Sequence, residues 1–284
     1  MTQAILVLTP SVLAVAVFVY GFILWTFRIS ATNWNDVVID YSFVGLKNWT
    51  RLFTHRRFRI DMRNLVLYAA SFMTQSIFLG FLLASLLDQH VKGENFFRTV
   101  YVLPFAVSGI VTGVAWKWLM NPSTGLNLLF EKIGLDFLKN QWFASKYGIL
   151  AVTIAASWQG TGYIVALYLA GLRGVSQDVR EAAAIDGANT WQLYRHVIIP
   201  LLMPVTWTAI VLTGMNSIRV FDLVSSLSGP GPDFADDTLA YWMFENTFTA
   251  NRFAMGAALA AFMIILSAFL VGPYLASMRF ELER

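Results

Sequence analysis

Six stretches of this chain, at about 4–27, 64–87, 99–120, 148–172, 204–224 and 254–276, each run past twenty residues with almost no charge. A helix of roughly 20 apolar residues crosses the hydrocarbon core of a bilayer. The pattern therefore predicts an all-α membrane protein of six transmembrane helices, each long enough to span with some tilt. The first, second, fourth and sixth runs hold no Asp, Glu, Lys or Arg, the third holds Lys117 near one end, and the fifth holds Arg219 and Asp222. Composition agrees, with 57% hydrophobic and 13% charged residues, against roughly 45–50% and 25% in ordinary globular domains.

The first run follows Met1-Thr2-Gln3, a start without a basic residue, and its one Ala-x-Ala (Ala14 to Ala16) sits mid-run. A secretory signal has a basic start and a shorter apolar core before its cleavage site, so the run is read as a retained first span. The absence of cysteine excludes disulfides and thiolate-ligated metal. The net charge of +3 is small, and the basic residues form no nucleic-acid footprint. His55, His90 and His196 all fall between the runs and make no ligand cluster, so no metal site is expected.

Loop Lys and Arg should orient the spans. The side holding both termini carries seven, Arg279 and Arg284 among them, and the other side eleven, Lys146 included. The excess comes almost wholly from residues 28–63, with Arg51, Arg56, Arg57, Arg59 and Arg63. By charge alone the termini lie outside.

The segment joining the fourth and fifth runs, 173–203, points the other way. It reads Ser176-Gln-Asp-Val-Arg-Glu181-Ala182-Ala183-Ala184-Ile185-Asp186-Gly187-Ala188 and continues to Val197-Ile198-Ile199-Pro200. Ser176 is a good N-cap, and Asp178 and Glu181 favour the positive end of the helix dipole. Ala182 to Ala184 are strong helix formers, and Gly187 supplies a stop. Asn189 or Thr190 can cap a second helix, with Gln192 three residues after Asn189. The expectation is a short helix, a break and a second helix.

This arrangement resembles the signature loop of ABC-importer permeases: Glu-Ala-Ala, three residues, Gly, nine residues, Ile, one residue, Leu-Pro. Here Glu181-Ala182-Ala183, Gly187, Val197 and Ile199-Pro200 keep every spacing, with Val for Ile and Ile for Leu. The likeness extends to Phe43 through Trp49, Phe97 through Pro104, Trp158 through Leu172, and Phe221-Asp222-Leu223 followed by Ser228-Gly229-Pro230-Gly231-Pro232. These look like the sugar-permease branch, the maltose/glycerol-phosphate permease family. The run Val111 to Trp118 with Asn121-Pro122 is similar to the α-glucoside or glucose/mannose type. The resemblance implies a type I ABC importer permease fold over a single domain, 1–284. It implies that loop 173–203 is cytoplasmic and docks on an ATPase through Glu181, Ala182, Ala183, Asp186, Gly187, Ala188 and Pro200, so that both termini are cytoplasmic, against the charge count. The implied setting is a bacterial inner membrane. The implied partners are a second, homologous permease, an ATPase dimer and a solute-binding protein outside, with membrane lipid around the spans.

No G-x-x-x-x-G-K-S/T phosphate loop occurs, so ATP and Mg are expected on the partner ATPase and no cofactor on this chain. No nucleophile triad or carboxylate pair is evident, so the chain is read as a transport subunit and not an enzyme. The rival is an ion-coupled secondary sugar transporter, which needs intramembrane ionisable groups or matching halves; Asp222 is the one carboxylate within a run, and no internal repeat is evident. A permease for a polyol or glycerol phosphate is the other alternative. Polar residues inside spans default to function, which marks Gln75, Gln159, Tyr163, Asn216, Arg219 and Asp222 as the candidate solute pathway. The competing reading is helix–helix bonding, with Arg219 and Asp222 paired three residues apart on one helix face. Gly109-x-x-x-Gly113 and Gly256-x-x-x-Ala260 are read as packing surfaces.

Overall fold

The computed structural model describes residues 2–89, 92–143 and 148–282, with side chains over 8–275, which leaves His90, Lys146 and Arg284 outside the described residues. The first apolar run forms α1 (Thr2–Val15), which passes through a π-helical turn (Ala16–Gly21) into α2 (Phe22–Ser30). Its first part, α1 and the π-helical turn, stands almost free of the bundle, with Phe18 open to the surroundings, while α2 lies along the last helix of the chain. The end of α2 is held by Asn48, whose Nδ2 donates to the carbonyls of Ser30 (2.9 Å) and Thr32 (2.8 Å). These are groups that a helix terminus leaves without partners.

After α3 (Lys47–Thr54), His55 accepts a bond from the Arg57 amide and starts α4 (Arg56–Leu87). The second predicted span, 64–87, is thus the C-terminal part of a helix that begins at Arg56. The basic stretch Arg56 to Arg63 is not a loop, because Arg57 and Asp61 are buried against later parts of the chain.

The third predicted span is not straight. It divides into α5 (Glu94–Ala106) and α6 (Gly109–Leu119), bent by 100°. Pro104 cannot donate to the preceding turn, Val107 is extended, and the Ser108 hydroxyl caps α6 by accepting from the Val111 amide at 3.3 Å. After α7 (Leu126–Lys132), α8 (Ile149–Gly174) is unbroken and lies along α4. A side chain on Gly80 would overlap Ile164, and one on Gly160 would meet the Phe72 ring at 3.0 Å.

Loop 173–203 contains α9 (Gln177–Ile185), then α10 (Thr190–Leu193), a π-turn (Tyr194–Ile198) and α11 (Ile199–Leu201). A 65° bend leads into α12 (Met203–Ile218). The fifth predicted span therefore ends six residues early, at Ile218, and the chain turns before α13 (Asp222–Leu227). There Gly113 abuts Ser226 so closely that no side chain fits, which bears out Gly109-x-x-x-Gly113 as a packing surface. Finally come α14 (Leu239–Phe244) and α15 (Phe253–Leu282), with Gly256 packed on Thr247. Among the described residues four helices are long and apolar enough to cross a membrane, or six spans if each bent pair crosses once.

Candidate functional site

Loop 173–203 closes as its sequence demands. Gly187 sits at φ +79°, and its amide donates to the Ala184 carbonyl (3.1 Å) while the Ala188 amide donates to Ala183 (3.0 Å). This is the Schellman pair, which a left-handed residue at the helix end makes possible. Asn189, not Thr190, caps the second helix: its Oδ1 accepts from the Gln192 amide (2.9 Å), and Gln192 Oε1 accepts from the Asn189 amide (2.8 Å). Ser176 has the cap backbone but makes no side-chain cap bond.

Of the expected docking residues, Glu181, Ala182, Asp186, Gly187 and Pro200 are exposed, Ala188 is half-buried and Ala183 is buried beneath the turn. Sequence reading missed two bulky apolar side chains beside them, Ile185 (86% exposed) and Trp191 (69%). It also missed Arg180. That guanidinium pairs with Asp88 just beyond α4 (2.9 Å) and donates to the Leu172 carbonyl (3.0 Å), while Arg173 pairs with Glu94.

A second constellation surrounds an open cavity of about 430 Å³ lined by α4, α5, α6, α8, the end of α12 and the turn after it. It gathers Gln159, Asn216, Arg219 and Asp222, with Tyr68, Phe72, Phe105 and Phe221 as aromatic walls. Both chain breaks open into it, one through Phe105 and Gly109, the other through Arg219, Val220 and Phe221. Gln159 spans to the first break and donates to the Val107 carbonyl at 2.6 Å. Asn216, Arg219 and Asp222 are exposed, and no ion pair joins Arg219 to Asp222 among the described residues, because the break puts them on different helices. Pairing on one helix face is thereby overturned. Tyr163 lies outside the lining and stacks on Phe105 (centroids 5.1 Å apart). Gln75 is half-buried in α4 and does not reach the cavity.

On the opposite side from loop 173–203, residues 225–253 wrap over the start of α4. Buried Arg57 bonds Asp237 Oδ2 and Glu245 Oε2, both at 2.5 Å, and lies 4.5 Å from the Phe234 ring centroid. Asn64 donates to the carbonyls of Phe234 (2.9 Å) and Asp237 (3.1 Å). Burial pushes the Asp236 carboxyl up to about 7, and burial also raises Asp237, which Arg57 partly offsets. No sequence signal joins residues some 180 positions apart.

Residues 76–276 match the family described as binding-protein-dependent transport system inner membrane component. The chain belongs to this family. A probable ABC transporter permease protein of Pyrococcus horikoshii is 41% identical, covering 95% of this chain and 94% of that one. A xylose/arabinose import permease protein of Haloferax volcanii is 33% identical, covering 90% and 82%. The crystal structure of a bacterial ABC transporter that imports the acidic polysaccharide alginate superposes with TM-score 0.82 at 18% identity, covering 98% of this chain and 95% of that one. At that identity it carries the fold alone. This permease is a multi-pass membrane protein and a transport component, which sets the ion-coupled carrier aside.

Proposed function

We propose that this permease forms half of the transmembrane route for a sugar delivered by an outside solute-binding protein. The observation that carries the reading is the coincidence of both chain breaks with one polar, aromatic-walled cavity. Irregular backbone at membrane depth is tolerated where it lines a water-filled cavity or is buried in protein. Sugar hydroxyls both donate and accept, and the cavity offers donors on Arg219 and Asn216, acceptors on Asp222 and Asn216, and ring faces for the apolar sides of a pyranose. Glycerol phosphate fits less well, since its dianion would share the cavity with the Asp222 carboxylate. The sugar names carried by relatives support the same class.

The exposed side of loop 173–203, with Glu181, Ala182, Asp186, Gly187 and Pro200, docks on the ATPase, which binds ATP and Mg. Ala183 and Ala188 hold its turn. That assignment sets loop 173–203 and both termini in the cytoplasm and residues 225–253 outside. A second, homologous permease closes the far side of the cavity, where Asn216, Arg219 and Asp222 stand exposed. The test is Asn216→Leu in the assembled transporter, assayed by uptake across a panel of mono- and disaccharides. Uptake is lost while assembly and nucleotide binding persist; uptake at the wild-type rate sinks the reading.

A further inference from the structure

Loop 173–203 and the segment 233–237 lie at opposite ends of the same two helices. α4 runs 32 residues unbroken, about 48 Å at 1.5 Å per residue, and α8 runs 26. They are locked along their length by Gly80 against Ile164, Gly160 against Phe72, and Ser71 Oγ at 3.3 Å from Thr153 Oγ1. The other routes from the loop are interrupted: α5 and α6 bend by 100°, the entry to α12 by 65°, and α12 stops at Ile218.

Each end of the pair is fastened by a buried or half-buried charge. At the inner end Arg180 holds Asp88 and the Leu172 carbonyl, so α9 is tied to α4 and α8 at once. At the outer end Arg57 holds Asp237 and Glu245, and Asn64 holds two carbonyls of the same segment. The Asp236 carboxyl packs so tightly on Gly148, the cap of α8, that a side chain there would overlap it. Packed interfaces shift between discrete arrangements and do not deform continuously, so a displaced joint moves the whole pair.

We propose that α4 and α8 form a rigid strut that couples the position of the docking loop to that of the outer segment 233–237, with Arg180–Asp88 and Arg57–Asp237 as its two joints. The words docking and outer rest on the importer reading above. Arg180, Asp88 and Arg57 are positioning residues and touch no solute.

The chain has no cysteine, so a single Ala235→Cys, at a buried position in the outer segment, reports its release. The measurement is its rate of maleimide labelling in the purified complex with ATPase and partner permease, without nucleotide, sugar or binding protein. Arg57→Gln, at the near joint, is expected to raise the rate. Asp88→Asn, at the far joint, is expected to raise it at least about fivefold, the lower range of ordinary coupling between sites. Combining Arg180→Asp with Asp88→Arg is expected to slow it again. If Asp88→Asn leaves the rate unchanged while Arg57→Gln raises it, or if the charge swap does not slow it, the strut is overturned. Where Arg57→Gln does not accumulate, Asp237→Asn, which removes the charge from the other side of the same joint, replaces it. Labelling needs no transport, so a wild-type uptake result for Asn216→Leu overturns the solute route without bearing on the strut.

Discussion

Gly187 isolates one physical cause. Its φ of +79° lies in the left-handed region, yet nothing stands within 4 Å of where a side chain would begin. Replacing it therefore brings torsional strain and no clash. For an ordinary L-residue that strain is about 1–2 kcal/mol, a shift of roughly 5–30-fold in a local equilibrium, and valine adds the stiffness of its branched Cβ. The strain falls on the Ala184 and Ala183 bonds that fold α9 back toward α10, and so on the face proposed to meet the ATPase. Asparagine tolerates the left-handed conformation far better while adding a larger polar side chain. The assay is binding-protein-stimulated ATP hydrolysis in reconstituted complex. Gly187→Val should reduce stimulation by about 5–30-fold if the turn is limiting, and Gly187→Asn should retain most of it. Equal losses in the two variants would refute the torsional argument, and full stimulation in both would remove the docking role.

Ser42→Cys and Phe248→Cys, both exposed, should label in whole cells with an impermeant thiol reagent and Gln192→Cys should not; the reverse pattern inverts the orientation. The Asp236 carboxyl, raised from 3.8 to about 7, binds its proton more tightly folded than unfolded. Folding stability should then fall as pH rises from 4 to 7, by up to about 1.4 kcal/mol per unit, and Asp236→Asn should flatten the fall in thermal melts; parallel curves would refute it. Gln159→Leu leaves the Val107 carbonyl without its donor, a loss of about 1–3 kcal/mol, which should lower the melting temperature even in the absence of sugar.

The helices and the loop turn were legible because their signals are local. Apolar length marks the spans, and Gly187 with Asn189 and Gln192 specify a stop and a start within six residues. The break at Val107 was not, because hydropathy is blind to direction and the third run stays apolar through the turn; the break after Ile218 falls at Arg219 to Asp222, whose charges were read as solute-facing groups on one continuous helix. At the first break Pro104 was the visible cue, and a proline inside a span is compatible with a continuous helix. Reading Arg56 to Arg63 as a loop failed for a different reason. Basic residues usually mark water, but Arg57 is buried because Asp237 and Glu245 arrive from the far end of the chain. Of the six residues singled out for the cavity, four line it. Tyr163 and Gln75 share the helices but not the facing, which residue type alone does not encode.

The two breaks bear on how such a cavity persists in a membrane. A helix interrupted in hydrocarbon exposes amides and carbonyls at several kcal/mol each, so an unassisted break should reseal. Here three devices hold the first one open: Pro104 removes a donor, Ser108 caps α6, and Gln159 takes the Val107 carbonyl. The second is closed by Thr238, whose hydroxyl donates to the Val220 carbonyl at 3.0 Å while accepting from the Tyr241 amide at 3.2 Å. Thr238 belongs to the same stretch, 225–253, that Arg57 secures. The residue that satisfies the second break is thus adjacent to Asp237, which ties this segment to α4 through Arg57. A movement that freed Asp237 and carried Thr238 with it would also leave the Val220 carbonyl unsatisfied, so on the importer reading proposed above, opening outward and reshaping the cavity become a single event.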